Sequence, residues 1–474
     1  MSSDNTSANT ATAARAASTA ARARTNANSR AVGLDRRRFL KQAALATGAL
    51  ALPNFIPAAA LGRDGKIAPS NRIVMGGVGY GNRAGYVMGE WFLRQPEVQF
   101  VGACDVRKSR RNALKARVDQ HNKNTDCKTY IEMGEMFARP DIDAIVTATG
   151  DRLHATVAVR AMRAGKDVYS EKPATMTIAE GQELVRTAKA YARVYQAGMQ
   201  RLSERNFIFC EELVRSGRLG EVKTVHAHHA PWGGVHMNRK WLPEEPLPDP
   251  SEVDWDRWLG PCPWRPYNQR YVTGGWHGQH DFYNSVIGEW GSHTFASCHA
   301  ALDLGHTSPV HYPFVNNPTA DGLTMTFANG AKMRSLRQDT WEDATGKKHQ
   351  WHGSCAIRYI GTEGWCATGD GYSAPDLSNP ALLNDLNKIV QNYLLRTGRE
   401  IDHVRNFLSC VKSRRETAAN PTITHRTMSA VHCGNLAQWL GRDLTWDPVK
   451  EEFVNDPEAN RCRSRAAREG WQIV

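Results

Sequence analysis

Short apolar runs alternate with longer amphipathic stretches through the first part of the chain. The runs with the length and apolar character of strands cover residues 72–75, 98–105, 143–150 and 167–170. Helical spacing follows them, for instance over residues 155–164, where Gly165 supplies a cap. Strands that alternate with helices at this pace predict an α/β domain built on a parallel, doubly wound sheet. Ligands of such sheets bind at the carboxyl ends of the strands.

The pattern changes to a period of two after Glu221, as in half-buried strands. The strand-like stretches are 222–229, 322–336, 354–361 and 364–369. Asn329-Gly330 supplies the turn of a hairpin within the second stretch. Residues 400–440 return to helical spacing. We therefore predict a following α+β domain whose open sheet is mostly antiparallel, with C-terminal helices that pack back on the rest of the fold.

The first 60 residues have a different composition. Residues 1–34 are mainly Ala, Thr, Ser, Asn and Arg, which cannot bury enough surface to order themselves. Residues 36–41 read Arg-Arg-Arg-Phe-Leu-Lys and precede an apolar run, 42–57, and three alanines. This arrangement resembles a twin-arginine export signal. The run is too short and too rich in alanine for a transmembrane span, so we predict none in the mature form.

The charge is concentrated in that leader. The chain of 474 residues has 60 Lys and Arg against 48 Asp and Glu, a net charge of +12. Residues 1–60 hold eight of the basic residues and two of the acidic ones, which is half of the net charge. The remainder is mildly basic and predicts no nucleic-acid partner. The signal predicts a periplasmic or otherwise exported protein that meets the twin-arginine translocase during export.

The ten cysteines are scattered, and no C-x-x-C pair occurs. A chain that folds in the reducing cytoplasm does not depend on disulfides, so we interpret these cysteines as mostly buried apolar side chains. The sequence has no H-E-x-x-H motif and no zinc-type ligand spacing, even though His226 and His228 share one face of a predicted strand. We therefore predict no metal site.

A glycine-rich turn links the first apolar run to a helical stretch. Gly77, Gly79 and Gly81 are the candidate phosphate-binding residues, since backbone N–H groups approach a pyrophosphate closely where no Cβ intervenes. The match to G-x-G-x-x-G is imperfect, because the pattern from Gly79 ends at Ala84. Strand, turn and helix together favour a dinucleotide-binding Rossmann domain.

Asp105 ends the second apolar run and is the candidate ribose-binding acid. A carboxylate there accepts hydrogen bonds from ribose hydroxyls and disfavours a 2′-phosphate. Four basic residues that could accept such a phosphate follow at once: Arg107, Lys108, Arg110 and Arg111. The cofactor is therefore NAD or NADP, with NAD favoured. Thr149, Glu171 and Lys172 fall at the ends of later strands, where ligands bind.

The order of these motifs resembles the glucose–fructose oxidoreductase, inositol dehydrogenase and rhizopine-catabolism (Gfo/Idh/MocA) superfamily from about residue 70 onward. The resemblance rests on Cys104-Asp105, Thr149-x-x-x-x-His154, Glu171-Lys172-Pro173 and Gln196-x-x-x-Gln200-Arg201. Gly150 departs from it, since proline is usual there. The resemblance implies that His154, Glu171 and Lys172 join the cofactor-binding residues. It places the domains at 1–60 (leader), 61–195 (dinucleotide binding) and 196–474 (substrate and oligomerisation).

The same resemblance implies a catalytic group. Residues 274–293 match the superfamily's catalytic stretch, with Glu289 and His293 on one face of a helix start. His293 would accept the hydroxyl proton of a carbinol. Glu289 would orient the imidazole or hold a sugar hydroxyl, and Lys172 would stabilise the developing alkoxide.

Candidate substrate contacts lie in the same region. Seven of the 14 tryptophans fall between residues 232 and 290, in an insertion rich in proline. Flat indole rings suit the C–H face of a sugar, although such rings also build aromatic cores. The candidate substrate residues are Arg201, Trp276, His277, Asp281 and Tyr283.

Three hypotheses follow. The first is an exported NAD(P)-dependent oxidoreductase that acts on a sugar, polyol or sugar derivative and holds its cofactor tightly. The second is an NAD-dependent glycoside hydrolase that oxidises C3 transiently and cleaves by elimination. The third is a sugar-binding protein without catalysis. By resemblance, the C-terminal sheet would join copies of the chain in a homo-oligomer.

Overall fold

The computed structural model describes residues 67–228, 234–338, 340–343, 345–351 and 353–474. The leader and its export signal, together with Trp232, lie outside the described residues. In the described part of the chain, no helix combines the length and apolar character needed to cross a membrane.

The first domain is a parallel six-stranded sheet with helices on both sides. Its strands are β1 Ile73–Val78, β2 Val98–Cys104, β3 Lys128–Tyr130, β4 Ala144–Thr147, β5 Asp167–Ser170 and β6 Tyr195–Ala197. Its helices are α1 Asn82–Tyr86, α2 Lys108–Asn122, α3 Met133–Phe137, α4 Asp151–Arg163 and α5 Ile178–Ala190. The strand order is β3-β2-β1-β4-β5-β6, and every neighbouring pair is parallel. The predicted doubly wound sheet is confirmed, and its order reverses between β1 and β4.

The second domain contains a mixed sheet of nine strands. Its strands are β7 Val222–His228, β8 His311–Tyr312, β9 Thr324–Thr326, β10 Lys332–Leu336, β13 Ile357–Gly361, β14 Trp365–Thr368, β15 Asp376–Leu377, β16 Leu444–Asp447 and β17 Glu452–Phe453; a separate hairpin is made of β11 Thr340–Glu342 and β12 Lys348–Gln350. β7 and β10 run parallel, whereas the other neighbouring pairs run antiparallel. The predicted, mostly antiparallel sheet is confirmed.

The described part of the second domain contains eight α-helices. They are α6 Arg205–Arg215, α7 Trp255–Leu259, α8 Ser285–Glu289, α9 Gly291–Ala301, α10 Leu386–Thr397, α11 His403–Ser413, α12 Pro421–Leu440 and α13 Pro457–Arg461. The long helix α12 packs against α5 of the first domain and against α9, as its spacing predicts.

The ends of α12 follow from its sequence. The Asn420 side chain accepts hydrogen bonds from the N–H groups of Thr422 and Ile423, and Pro421 occupies the first helical position. Gly441 ends the helix with a φ of 68°, a left-handed conformation that favours glycine. The helix therefore has a fixed length with which to join the two domains.

One large core contains side chains from both domains. A smaller aromatic core beneath the proline-rich insertion contains Trp255, Trp258, Tyr271 and Phe282. Nine of the ten cysteines are buried and Cys462 is exposed, and none forms a disulfide, which confirms their predicted apolar role.

Candidate active site

A cavity of about 760 Å³ lies between the carboxyl ends of the first sheet and the second domain. The residues that line it include Gly79, Gly81, Thr149, Lys172 and His293. Its size falls within the usual range of small-molecule and cofactor sites. The predicted strand-end residues therefore share one cleft with the predicted base.

Two of the three candidate glycines, Gly79 and Gly81, line the cavity. Gly79 has a φ of +77°, and a Cβ there would lie 2.6 Å from Cγ2 of Thr149. Gly81 precedes helix α1, and a Cβ there would meet nothing within 4 Å. The cradle at the helix N-terminus fits a pyrophosphate.

Gly77 does not line the cavity, so the structure gives no support to its prediction as a cofactor-binding residue. A Cβ at this position would lie 2.8 Å from Sδ of Met88 and 2.9 Å from Cδ2 of Leu114. This glycine therefore lets two neighbouring elements pack closely on β1, a requirement that the spacing of glycines does not reveal.

Asp105 lies at the end of β2 and lines the cavity. Its two carboxylate oxygens accept hydrogen bonds from the backbone N–H groups of Tyr80, at 2.7 Å, and Arg107, at 2.8 Å. Burial raises the pKa of Asp105, and the two N–H groups partly oppose that rise. Each oxygen retains a lone pair, so the carboxylate can still accept a ribose hydroxyl.

The basic residues after Asp105 divide into two groups. Arg107 and Arg110 line the cavity, and Arg107 also donates to the carbonyl of Val272. Lys108 pairs with Glu252 at 2.6 Å and does not line the cavity, so its predicted place beside the ribose has no support in the structure. Two guanidinium groups therefore remain near the expected ribose position.

His154 joins two loops of the cavity wall. Helix α4 starts at Asp151, earlier than predicted, which places His154 in its first turn. Nδ1 of His154 lies 2.8 Å from the carbonyl of Pro173, and Nε2 lies 3.2 Å from that of Thr149. Burial lowers the pKa of His154, so the ring is neutral near pH 7, and its single N–H donates to one of these two carbonyls and not to both.

Glu171 is buried behind Lys172. Its Oε1 accepts hydrogen bonds from Gln200, at 2.8 Å, and Arg83, at 3.2 Å. Nζ of Lys172 lies 5.2 Å above the ring of Trp290 and lines the cavity. The carboxylate thus anchors the loop, and the ammonium group faces the ligand space.

Glu289 and His293 line the cavity, but they do not share one helix. α8 ends at Glu289 and α9 begins at Gly291, so the helical hydrogen bonding is interrupted at Trp290. Glu289 accepts a hydrogen bond from the hydroxyl of Tyr283, whereas Nδ1 of His293 has no hydrogen-bond partner among the described residues. The structure therefore does not support the predicted orientation of the imidazole by Glu289.

His293 is neutral in this site. Burial is the main cause that lowers its pKa well below the ordinary value, and the nearby positive charges of Arg201 and Lys172 lower it further. A neutral imidazole has a lone pair that can accept a proton. The predicted chemical role of His293 is therefore compatible with its surroundings.

The predicted substrate residues separate into two sets. Trp276 and His277 line the cavity with their rings stacked at 3.7 Å, and Arg201 lines it while paired with Asp370. Asp281 pairs with a buried arginine and lies outside the cavity wall. Tyr283 is also absent from the wall, because it is buried behind Glu289. Asp281 and Tyr283 therefore do not line this cavity, and their predicted contacts with substrate have no support in the structure.

Several cavity residues have no signal in the sequence. Arg83, Arg152, Trp258 and Trp471 reach the wall from distant segments, and no motif marks them.

Asp151 also lines the cavity, and it directly follows a strand-end loop, a position that could have identified it. Its carboxyl group is 5% exposed and accepts the N–H of Asn284 at 3.0 Å. Burial raises its pKa to about 7; the charge of Glu289 adds to the rise, and that of Lys172 opposes it.

A doubly wound domain with a glycine cradle, joined to a sheet domain across one cleft, defines a dinucleotide-binding α/β protein. The chain matches an oxidoreductase family profile for an NAD-binding Rossmann fold over residues 72–199. It matches the family's C-terminal alpha/beta domain over residues 209–327 and 383–473. Together these matches span more than half of the chain, which therefore belongs to the Gfo/Idh/MocA oxidoreductase family.

Curated relatives match parts of the chain. Inositol 2-dehydrogenase of Salmonella typhimurium is 27% identical over 169 residues, which is 34% of this chain and 47% of that protein. A glycosyl hydrolase family 109 protein of Shewanella baltica is 27% identical over 228 residues, 44% of this chain and 49% of that protein. The chain thus spans about half the length of these relatives.

Solved structures match a larger part of the fold. The WlbA dehydrogenase from Bordetella pertussis, in complex with NADH and UDP-GlcNAcA, has a TM-score of 0.56 at 15% identity and covers 80% of this chain and 98% of its own. An aldose-aldose oxidoreductase from Caulobacter crescentus has a TM-score of 0.51 at 16% identity and covers 79% and 99%. At these identities the likeness establishes the fold alone.

Proposed function

We propose that the protein is an exported NAD(P)-dependent oxidoreductase that acts on a CH–OH group of a sugar, polyol or sugar derivative. The observation that carries the proposal is the single cleft, which joins the glycine cradle at Gly79 to Lys172 and His293. Membership of the oxidoreductase family supports the cofactor class, and the printed names of the relatives support the substrate class.

The residues of the cleft have separate tasks in this proposal. Gly79 and Gly81 receive the pyrophosphate, and Asp105 receives a ribose hydroxyl. The bound nicotinamide supplies the acceptor for hydride. His293 is neutral and takes the hydroxyl proton, and the ammonium group of Lys172 stabilises the negative oxygen that develops.

Glu289, Trp276 and His277 position the substrate in this proposal. Tyr283 donates to Glu289 and fixes it at the cavity wall, where it can accept a substrate hydroxyl. Trp276 and His277 present flat rings on the same wall, a surface suited to the C–H face of a sugar. Contacts of this kind orient the carbinol carbon and so lower the barrier by positioning.

Export and assembly are further parts of the proposal. The Arg-Arg-Arg-Phe-Leu-Lys sequence at 36–41 supports twin-arginine export to the periplasm. Free nicotinamide cofactor is scarce outside the cytoplasm, so the folded protein would keep its cofactor bound and regenerate it in place. The open sheet of nine strands offers a surface for a homo-oligomer.

The decisive experiment identifies the nucleotide. The exported protein is purified and denatured, and the released small molecules are identified by mass spectrometry. We expect NAD or NADP, together with loss of turnover in K172M and H293N variants that still contain nucleotide. Absence of nucleotide, with no binding when NAD or NADP is added, would contradict the proposal. Unchanged turnover in K172M would contradict the assigned role of Lys172.

Glycoside cleavage is a second candidate, supported by the match to the glycosyl hydrolase family 109 protein. That match includes 44% of this chain. Aryl glycosides distinguish the two functions. Release of the phenol without net formation of NADH would support cleavage, whereas NADH formation without release of the phenol would support the oxidoreductase.

A further inference from the structure

Arg152 is a buried cation in the wall of the active-site cavity. It is 3% exposed and lies in the first turn of α4. Within the described ranges, no carboxylate lies at ion-pair distance from its guanidinium group. Burial lowers the pKa of Arg152 to about 10, so the side chain remains charged at neutral pH.

One face and one edge of the guanidinium group are occupied. Nε, at 3.0 Å, and Nη2, at 2.6 Å, both donate to the backbone carbonyl of Trp258. The group lies 3.6 Å above the ring of Trp258 and 5.2 Å from that of Phe282. These contacts hold the side chain in place, but they neutralise none of its charge.

The third nitrogen, Nη1, lies beside Gly150 and Trp276. A Cβ on Gly150 would overlap Nη1 and would lie 4.0 Å from Cε2 of Trp276. Both neighbours line the cavity, and Nη1 donates to no acceptor in the part of the chain that the structure describes. The glycine at position 150 therefore makes room for this guanidinium group.

A buried charge with no ion-pair partner is costly, because the protein replaces only part of its hydration. The carboxyl group of Asp151 interacts electrostatically with Arg152, but burial outweighs this interaction and lowers the pKa of the guanidinium group. Arginine binds carboxylate and phosphate groups strongly through paired N–H donors. A ligand that supplies the missing negative charge would recover this cost on binding, and it would bind in preference to a neutral ligand of similar shape.

We propose that Arg152, with Gly150 and Trp276 beside it, forms a subsite for an anionic group of the substrate, so that the enzyme acts on an acidic sugar. This inference rests on the proposed function. The anion is a carboxylate or a phosphate, which share the chemistry that Arg152 recognises. Lys172, Glu289 and His293 line the same cavity as Arg152. The pyrophosphate has its own cradle at Gly79.

The test compares acidic and neutral probes on the holoenzyme. Binding of D-glucuronate, D-glucose 6-phosphate and D-glucose is measured by calorimetry or by tryptophan fluorescence. We expect at least one acidic probe to bind about tenfold more tightly than glucose, with that preference lost in R152M. The matched control is R160M on the same helix, because Arg160 also lies over a tryptophan ring but outside the cavity wall; it should keep the preference.

Two outcomes would overturn the proposal. A weaker affinity for NADH in R152M, with the acid preference unchanged, would assign Arg152 to the cofactor and overturn the proposal. Equal binding of acid and neutral probes by the wild type, including no binding of any probe, would also overturn it. This last result needs no variant to fold. If R152M does not fold, G150A, which crowds Nη1 and keeps the charge, should reduce the preference.

Failure of this inference can be distinguished from failure of the proposed function. Oxidation of a neutral sugar with the same kcat/KM as its acidic counterpart would leave the oxidoreductase intact and refute the subsite. A protein that contains no nucleotide would refute the oxidoreductase, whereas the probe affinities would still report on Arg152.

Discussion

Replacing Asp151 with asparagine should make the stability of the protein less dependent on pH. Asp151 is buried, and its pKa is raised to about 7 from an ordinary value of 3.8. Asparagine has nearly the same shape and keeps an oxygen that can accept the N–H of Asn284. The D151N substitution therefore removes the titration of this carboxyl group and little else.

The sign follows from proton linkage. The folded state holds the proton of Asp151 more tightly than the unfolded state, so the wild type loses stability as the pH rises from about 4 to 7. The full difference corresponds to about 4 kcal/mol of unfolding free energy, an upper value for a buried group. Between pH 5 and pH 8, D151N should gain about 2–3 kcal/mol relative to the wild type.

Urea denaturation of both proteins at pH 5, 6, 7 and 8 measures this gain. D456N is the matched control, because the pKa of Asp456 is lowered by its pairing with Arg442. Both states of the protein ionise Asp456 throughout this range, so its difference from the wild type should stay constant. A constant difference for D151N, or one that falls toward pH 8, would refute the assignment of a protonated carboxyl group at Asp151.

Two other substitutions test the cleft directly. G79A should contain at least about tenfold less bound nucleotide than the wild type, because the new Cβ would overlap Thr149. G165A is the control, since Gly165 also has a positive φ but no atom lies within 4 Å of the new Cβ, and this variant should keep its nucleotide. Equal amounts of nucleotide released from the two denatured variants would contradict the predicted clash. Y283F should lower kcat about tenfold with little change in fold, since it removes a hydrogen bond to the carboxylate of Glu289. Steady-state kinetics on a proven substrate measure this effect. An unchanged kcat would show that turnover does not depend on the hydrogen bond from Tyr283 to Glu289.

The fold could be predicted because its signals are local. Apolar runs separated by helical spacing imply a parallel sheet, and the period of two after Glu221 implies the second sheet. The short strands β3 and β6 were harder to foresee. β3 has three exposed or half-buried residues and therefore no apolar signal. β6 begins at the predicted domain boundary, residue 195, and its three residues are buried. Three residues are too few to show a period, so the sequence pattern does not reveal this strand.

The site was predictable only as far as motifs define it. Gly79, Asp105 and Lys172 follow strands, and the carboxyl ends of parallel strands meet at one edge of the sheet. Arg152 and Trp258 reach the same cavity through tertiary packing. Their contact joins residues 106 positions apart, and a single sequence contains no pattern for such a pair.

Different parts of the stretch 274–293 have different surroundings. Trp276 and His277 at its beginning, and Glu289 and His293 near its end, face the cavity. The chain between them turns inward, where Asp281 pairs with an arginine and Tyr283 supports Glu289 from behind. Sequence proximity to catalytic residues therefore does not imply contact with substrate. Changes in the middle of the stretch should act on turnover through the position of Glu289, whereas changes at its two ends should act on substrate binding and proton transfer directly.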